Sequence, residues 1–131
     1  MNCSFTIYSF LRILKSSKEV VKMIQIEDFD KVELRVGTIV QASINKKARK
    51  PAYKVTIDFG ENIGTKTSSA QITDVYKPED IIGKQVVCCV NLAPMHIGSV
   101  KSEVRIMGTE SEQGVVLLTT MESVRNGDRI F

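Results

Sequence analysis

The sequence predicts an all-β fold, a small Greek-key barrel of the OB type. Three observations lead there. Short segments with two-residue alternation recur along the chain. Glycine, proline and asparagine turn signals separate them. One short helix pattern follows the third strand, and further strands follow it, in the order of a five-stranded OB barrel.

The elements follow in order. Residues 32–44, "VELRVGTIVQASI", alternate as one long strand. Val32, Leu34, Val36, Val40, Ala42 and Ile44 are expected on one face, and Glu33, Arg35, Gln41 and Ser43 on the other. Gly37 predicts a bend or bulge. "NKKARKPAYK" is a loop, because Pro51 argues against a central strand. "YKVTIDFG" alternates again, with Tyr53, Val55, Ile57 and Phe59 on one side. "ENIG" turns into "TKTSSAQI", the third strand. "YKPEDIIG" reads as a helix with Pro78 in its first turn, Glu79 and Asp80 at its N-terminal dipole and Gly83 at its end. "KQVVCCVNL" is apolar on both faces and predicts a central strand. "APMHIGSVKSEVRIMG" opens on a proline turn and ends in a strand, and "GVVLLTT" is a further buried strand. Asn126-Gly127 is the pair favoured in type I′ turns.

The 131 residues are enough for one domain with a real core. With 43% apolar and 25% charged residues, the composition is that of a soluble globular protein. The net charge of +3 lies entirely in residues 1–22, and from Met23 onward basic and acidic residues balance. Nucleic-acid binding therefore needs a local cluster. Residues 1–22 are expected as an N-terminal extension, either not translated or poorly ordered, ahead of a domain over 23–131. Phe10 to Val21 can alternatively form a basic amphipathic helix suited to a membrane surface or a partner groove. The leader is neither a signal peptide nor a stable membrane span, since Arg12 breaks its apolar stretch.

Cys88 and Cys89 are adjacent in an apolar strand, point to opposite faces and read as small core residues in a reducing compartment. With no CxxC and a single histidine, no metal or other cofactor is expected. No GxSxG, P-loop, GxGxxG or HExxH pattern occurs, and no enzyme is expected. Ser68 and Ser69 invite a nucleophile reading. Strand alternation divides them, with Lys66, Ser68 and Ala70 on one face and Thr67, Ser69 and Gln71 on the other. They read instead as a binding wall next to Lys66.

One charge cluster stands out. Lys46, Lys47, Arg49, Lys50 and Lys54 surround Tyr53 with no acid from 45 to 57, a pattern suited to backbone contact with base stacking. In an OB fold this loop and the one carrying Met95, His96, Lys101 and Ser102 frame the ligand face. Met95, Ile97 and Val100 also offer adaptable apolar surface for a peptide.

The segments "DFDKVELRVGTIVQA", "KVTIDFG", "IGTKTSSAQIT", "YKPEDIIGKQV", "VNLAPMHIGSVKSEV" and "NGDRI" resemble the CsaA family, from about Asp28 to Ile130. That family belongs with the tRNA-binding OB domains appended to methionyl-tRNA synthetases. The resemblance implies a five-stranded barrel with extra terminal elements that form a homodimer. It implies a cytoplasmic, non-enzymatic chaperone that binds unfolded preproteins and the SecA export motor. Binding of tRNA is the alternative, and DNA is not implied. Asn91 and Pro94 match the "VNL-P" stretch, and Ser102 matches the serine that follows it. Where relatives often carry arginines after that proline, this chain has Met95 and His96, which lowers the positive charge of the expected face. Apolar residues of the terminal strands that a lone small barrel is expected to leave exposed, Val32, Leu34, Ile130 and Phe131, also suit a dimer.

Overall fold

The computed structural model describes residues 19–131. Most of the N-terminal extension expected over 1–22, with most of the alternative helix from Phe10 to Val21, lies outside these residues, and residues 19–25 carry no regular structure. A one-turn helix, α1 (Ile26–Asp30), precedes the first strand. Asp28 closes the turn, its carboxylate accepting from the Gln25 N–H at 3.2 Å.

Strand β1 (Leu34–Ile44) is the longest and pairs with three others. It is antiparallel to β2 (Tyr53–Asp58), β4 (Gln85–Cys89) and β10 (Arg129–Ile130). The bulge lies between Ile39 and Gln41, not at Gly37. Gly37 is needed for another reason: a Cβ there would come 2.5 Å from Ile57 Cγ2 and 2.8 Å from the Phe59 ring. The bulge also corrects the expected stripe. One extra residue reverses the facing of everything beyond it. Leu34 and Val36 lie opposite Cys89 and Val87, whereas Ala42 and Ile44 lie opposite Val55 and Tyr53 on the inner side. Val40 is exposed at the bulge and Ile44 at the barrel end. Ile39, which the stripe left out, is fully buried opposite Ile57.

The core joins Ile39, Val55, Ile57, Phe59, Val86 and Cys88 with Ile81. Each such side chain contributes roughly 1.5–3 kcal/mol by leaving water. Ile81 comes from α2 (Pro78–Ile81), the expected helix, which follows β3 (Thr65–Ala70). Asp80 accepts from the Lys77 N–H at 3.1 Å, and Gly83 ends the helix with φ +87°. The Gly83 N–H then reaches the Ile39 carbonyl at 2.7 Å, while the Ile39 N–H donates to Lys84 at 2.9 Å. The helix exit thus supplies main-chain partners at the bulge.

Cys88 and Cys89 are free thiols, both buried. Burial, and then the neighbouring Cys89, pushes the Cys88 thiol up to about 12. Beyond β4 the chain is more broken than expected. A hairpin of β5 (Met95–Ile97) and β6 (Val100–Ser102) precedes β7 (Arg105–Ile106), which pairs with β4. A second hairpin joins β8 (Gly108–Ser111) to β9 (Gly114–Leu117). The expected strand over 114–120 stops at Leu117 and is only half-buried beyond Gly114. A turn does form at Asn126-Gly127, with the Asp128 N–H donating to Arg125 at 3.1 Å, but its flanks do not pair with each other. It docks on β1 instead, with the Gly127 N–H 2.7 Å from the Val36 carbonyl.

The main sheet runs β3-β2-β1-β4-β7, with β10 on β1. The barrel is nearly closed where β3 meets the chain between β6 and β7. One main-chain hydrogen bond crosses that seam, from the Glu103 N–H to the Thr67 carbonyl at 2.8 Å.

Candidate ligand face

The basic loop between β1 and β2 and the β5–β6 hairpin meet beside β3. Asn45 ties them together. It is 5% exposed, and its Nδ2 donates to Ser69 Oγ at 3.1 Å and to the Ile97 carbonyl at 2.9 Å. Gly98, with φ +61°, lets the hairpin tip lie against the loop, because a Cβ there would sit 2.7 Å from the Lys47 carbonyl carbon. The two loops therefore converge through main-chain packing and one buried amide.

Two grooves open on this face. One, of about 520 Å³, is lined by Lys47, Arg49, Lys50 and His96 together with Ser69, Gln71 and Ile97. The other, of about 700 Å³, runs along the seam from Ser69 and Gln71 past Leu92, Met95, Ile97, Ile106 and Met107 to Glu110. Ser69, Gln71 and Ile97 line both. Neither groove is lined by Phe, Tyr or Trp, and His96 is the one ring, in the smaller groove.

The expected site residues divide. Lys46, Lys47 and Arg49 are exposed on the loop, and Lys54 is exposed on the outer face of β2 directly across from Ser69. His96 and Lys101 are exposed cross-strand partners in the hairpin, and Met95 is 64% exposed opposite Ser102. Ser68 faces inward and is 2% exposed, so only Ser69 of the pair belongs to the outer wall. Tyr53 is 7% exposed and its hydroxyl donates to the Tyr76 carbonyl at 2.7 Å, which removes it as a stacking surface. Asn91 is committed elsewhere. Its Oδ1 accepts from the Glu33 N–H at 3.0 Å and its Nδ2 donates to the Lys31 carbonyl at 2.6 Å, which clamps the chain entering β1.

Ser102 and Lys101 take part in the seam. Ser102 Oγ accepts from the Ser69 N–H at 3.0 Å, and the Lys101 carbonyl accepts from Thr67 Oγ1 at 2.7 Å. Glu103 completes it, with one carboxylate oxygen accepting from Thr67 N–H at 3.0 Å and lying 3.1 Å from Thr67 Oγ1, whose one proton it shares with the Lys101 carbonyl. The Thr67 main-chain N–H holds this carboxyl below the usual carboxylate range. Its hydroxyl and the nearby Lys66 and Lys101 act in the same direction. Lys66 and Lys101 thus share their field with an acid, whereas loop 46–50 carries four exposed cations and no acid. Asn45 and Glu103 escaped sequence reasoning as structural keys. Glu103 had a signal, since it stands in the "KSEV" fingerprint.

Among the described residues, no group of acidic, histidine and cysteine side chains could hold a metal ion. No helix among them is long and apolar enough to cross a membrane.

Residues 34–129 match the family described as "Putative tRNA binding domain". The structure of a CsaA chaperone protein from Picrophilus torridus superposes with a TM-score of 0.79 at 45% identity, covering 83% of this chain and 100% of that one. The chaperone CsaA of Bacillus anthracis gives 0.78 at 44% identity, with 84% and 100% covered. A methionine–tRNA ligase of Methanocaldococcus jannaschii is 34% identical over 113 residues, which are 86% of this chain but 17% of the ligase. The chain thus spans about a sixth of the length of such ligases. With the family match over most of the barrel and two CsaA structures covered end to end, the chain belongs to the CsaA group of tRNA-binding-domain proteins.

Proposed function

We propose that this protein is a non-enzymatic, homodimeric, cytoplasmic chaperone that holds secretory preproteins in an extended, export-competent state and hands them to the SecA motor. Residues 23–131 form the working domain in this reading. The observation that carries it is the groove along the seam. Its walls pair apolar side chains (Leu92, Met95, Ile97, Ile106, Met107) with polar rims and no aromatic ring. Such a trough suits an extended peptide, whose side chains need apolar surface and whose main chain needs hydrogen-bonding groups. Met95 and Met107 adapt their shape to varied partners. The similarity to two proteins named as CsaA chaperones supports the same reading. The test is aggregation of an unfolded preprotein with this protein at stoichiometric amounts. Suppression is expected, and unchanged aggregation rejects the reading.

A second reading, binding of tRNA or another structured RNA, rests on the exposed Lys46, Lys47, Arg49, Lys50 and Lys54. Here the loop would grip the backbone, with the buried Tyr53 taking no part in base stacking. It predicts that RNA affinity falls steeply with salt. Converting Lys46, Lys47 and Arg49 to alanine should flatten the log–log slope by roughly 2 to 3 units. A flat slope in the wild type rejects RNA binding.

A further inference from the structure

The seam that closes the barrel is incomplete in a particular way. In β3 the even residues Lys66, Ser68 and Ala70 face Ile57, Val55 and Tyr53 in the β2 ladder. The odd residues direct their main-chain groups toward the seam. Thr67 uses both of its groups on Glu103, and the Ser69 N–H goes to Ser102 Oγ. Beyond that point the chain parts from β6 and β7. The Ser69 carbonyl and the N–H and carbonyl of Gln71 have no hydrogen-bond partner among the described residues. Both residues line the large groove, and Gln71 is exposed. An unpaired strand edge of this kind is a template for another strand.

We propose that the β3 edge at Ser69–Gln71 is a main-chain clamp that captures an extended polypeptide by strand addition. A residue of the incoming segment would donate its N–H to the Ser69 carbonyl and accept from the Gln71 N–H, the pattern of a parallel ladder. Its side chains would alternate between the groove, against Leu92, Ile97 and Ile106, and solvent. Recognition then rests on the backbone and on apolar volume, so clients need no common sequence.

The charge of the groove selects the same occupant. Its lining carries Glu103, Glu110 and Arg105, a slight excess of acid, while the cations stand in the neighbouring groove. That slight excess favours an uncharged or weakly basic apolar segment over an acidic one in this groove. The edge is also protected when empty, because the seam ahead of it is sealed by side chains from Ser102 and Glu103. That leaves only a short stretch open, too short to recruit a second sheet.

This inference rests on the chaperone reading and is tested separately from it. The probe is a capped, fluorescently labelled peptide of alternating leucine and serine with two terminal lysines. The protein is the full chain, wild type or variant. Gln71→Pro removes the one free N–H without breaking an internal hydrogen bond, and Ala70 before it is already extended. Gln71→Ala removes only the side chain. Expected is a loss of about 10-fold in affinity for Gln71→Pro, the size of one or two hydrogen bonds, with Gln71→Ala close to wild type. Peptides N-methylated at single positions, titrated against the wild type, supply a readout independent of any variant's folding. Affinity should fall at every second position only. Binding that ignores both Gln71→Pro and the methylation pattern overturns the clamp while leaving a chaperone groove in place. No binding of the peptide by the wild type overturns both. A change in the sedimentation of Gln71→Pro without a change in peptide affinity assigns the edge to a second copy of this chain and also overturns the clamp.

Discussion

At Thr67 the main-chain N–H meets a carboxylate where a paired strand would offer a carbonyl. The Glu103 side chain thus seals the barrel, and its charge strengthens both hydrogen bonds from Thr67. Because this carboxyl is held below its ordinary value of 4.5 in the folded state, the unfolded chain takes up the proton first as pH falls. The contribution is therefore fully present above the ordinary value and is lost as pH drops through the folded one. Glu103→Gln should lower stability by about 1 kcal/mol at neutral pH, since the groups are partly exposed. The gap to wild type should close as pH falls below 4.5. Urea unfolding of both proteins across pH 3 to 7 measures this, and a gap independent of pH would remove the charge from the account. Residue facing in β3 was legible beforehand, because period two alone separates Ser68 from Ser69. The same alternation already puts Tyr53 on one side with Val55, Ile57 and Phe59, yet the basic cluster around it makes it read as a stacking surface. Its apolar neighbours Val55 and Ile57 continue into the core on the same face, and a local view of five cations hides that.

The basic loop and the β5–β6 hairpin act as one element because Gly98 lets them touch. Gly98→Ala places a Cβ 2.7 Å from the Lys47 main chain at φ +61°. The left-handed strain alone costs about 1–2 kcal/mol, and the contact adds to it. The easier response is for the hairpin to lift off the loop, which stretches the Asn45 bond to Ile97. Expected are a thermal midpoint several degrees lower and faster amide exchange at Ala48, whose N–H donates to Asn45 at 3.3 Å. Unchanged exchange there would mean that the two segments are held independently. That these loops converge followed from the order of elements, three strands, a helix and more strands. How they are fixed did not, because a glycine contact across 50 residues leaves no periodic trace. The bulge shows the same limit. An alternating run looks continuous through Val40, and only pairing with β2 reveals the extra residue.

On the scale of the whole molecule, apolar side chains stand exposed around the two ends of the described chain. Phe131 is 96% exposed, Ile26 65%, Val32 44% and Phe29 41%. β10 lies on β1 with Leu34 opposite Ile130, so Phe131 and Val32 extend the same end of that ladder. A monomer rarely leaves such a contiguous set to water, whereas a two-fold interface would bury each residue against its counterpart. The proposed homodimer would use this surface, along α1, the start of β1 and β10. Sedimentation at micromolar concentration should give about twice the 14.6 kDa chain mass. Val32→Ser with Phe131→Ser removes roughly 2–5 kcal/mol of apolar burial per protomer and should shift the species to monomer. Neither residue belongs to the barrel core, so the monomer should keep its circular dichroism spectrum. A wild type that sediments as 14.6 kDa at these concentrations would exclude the dimer. A double variant that stays dimeric would move the interface away from this ladder. Peptide binding that survives in a folded monomer would further separate the groove, built within one barrel, from the assembly.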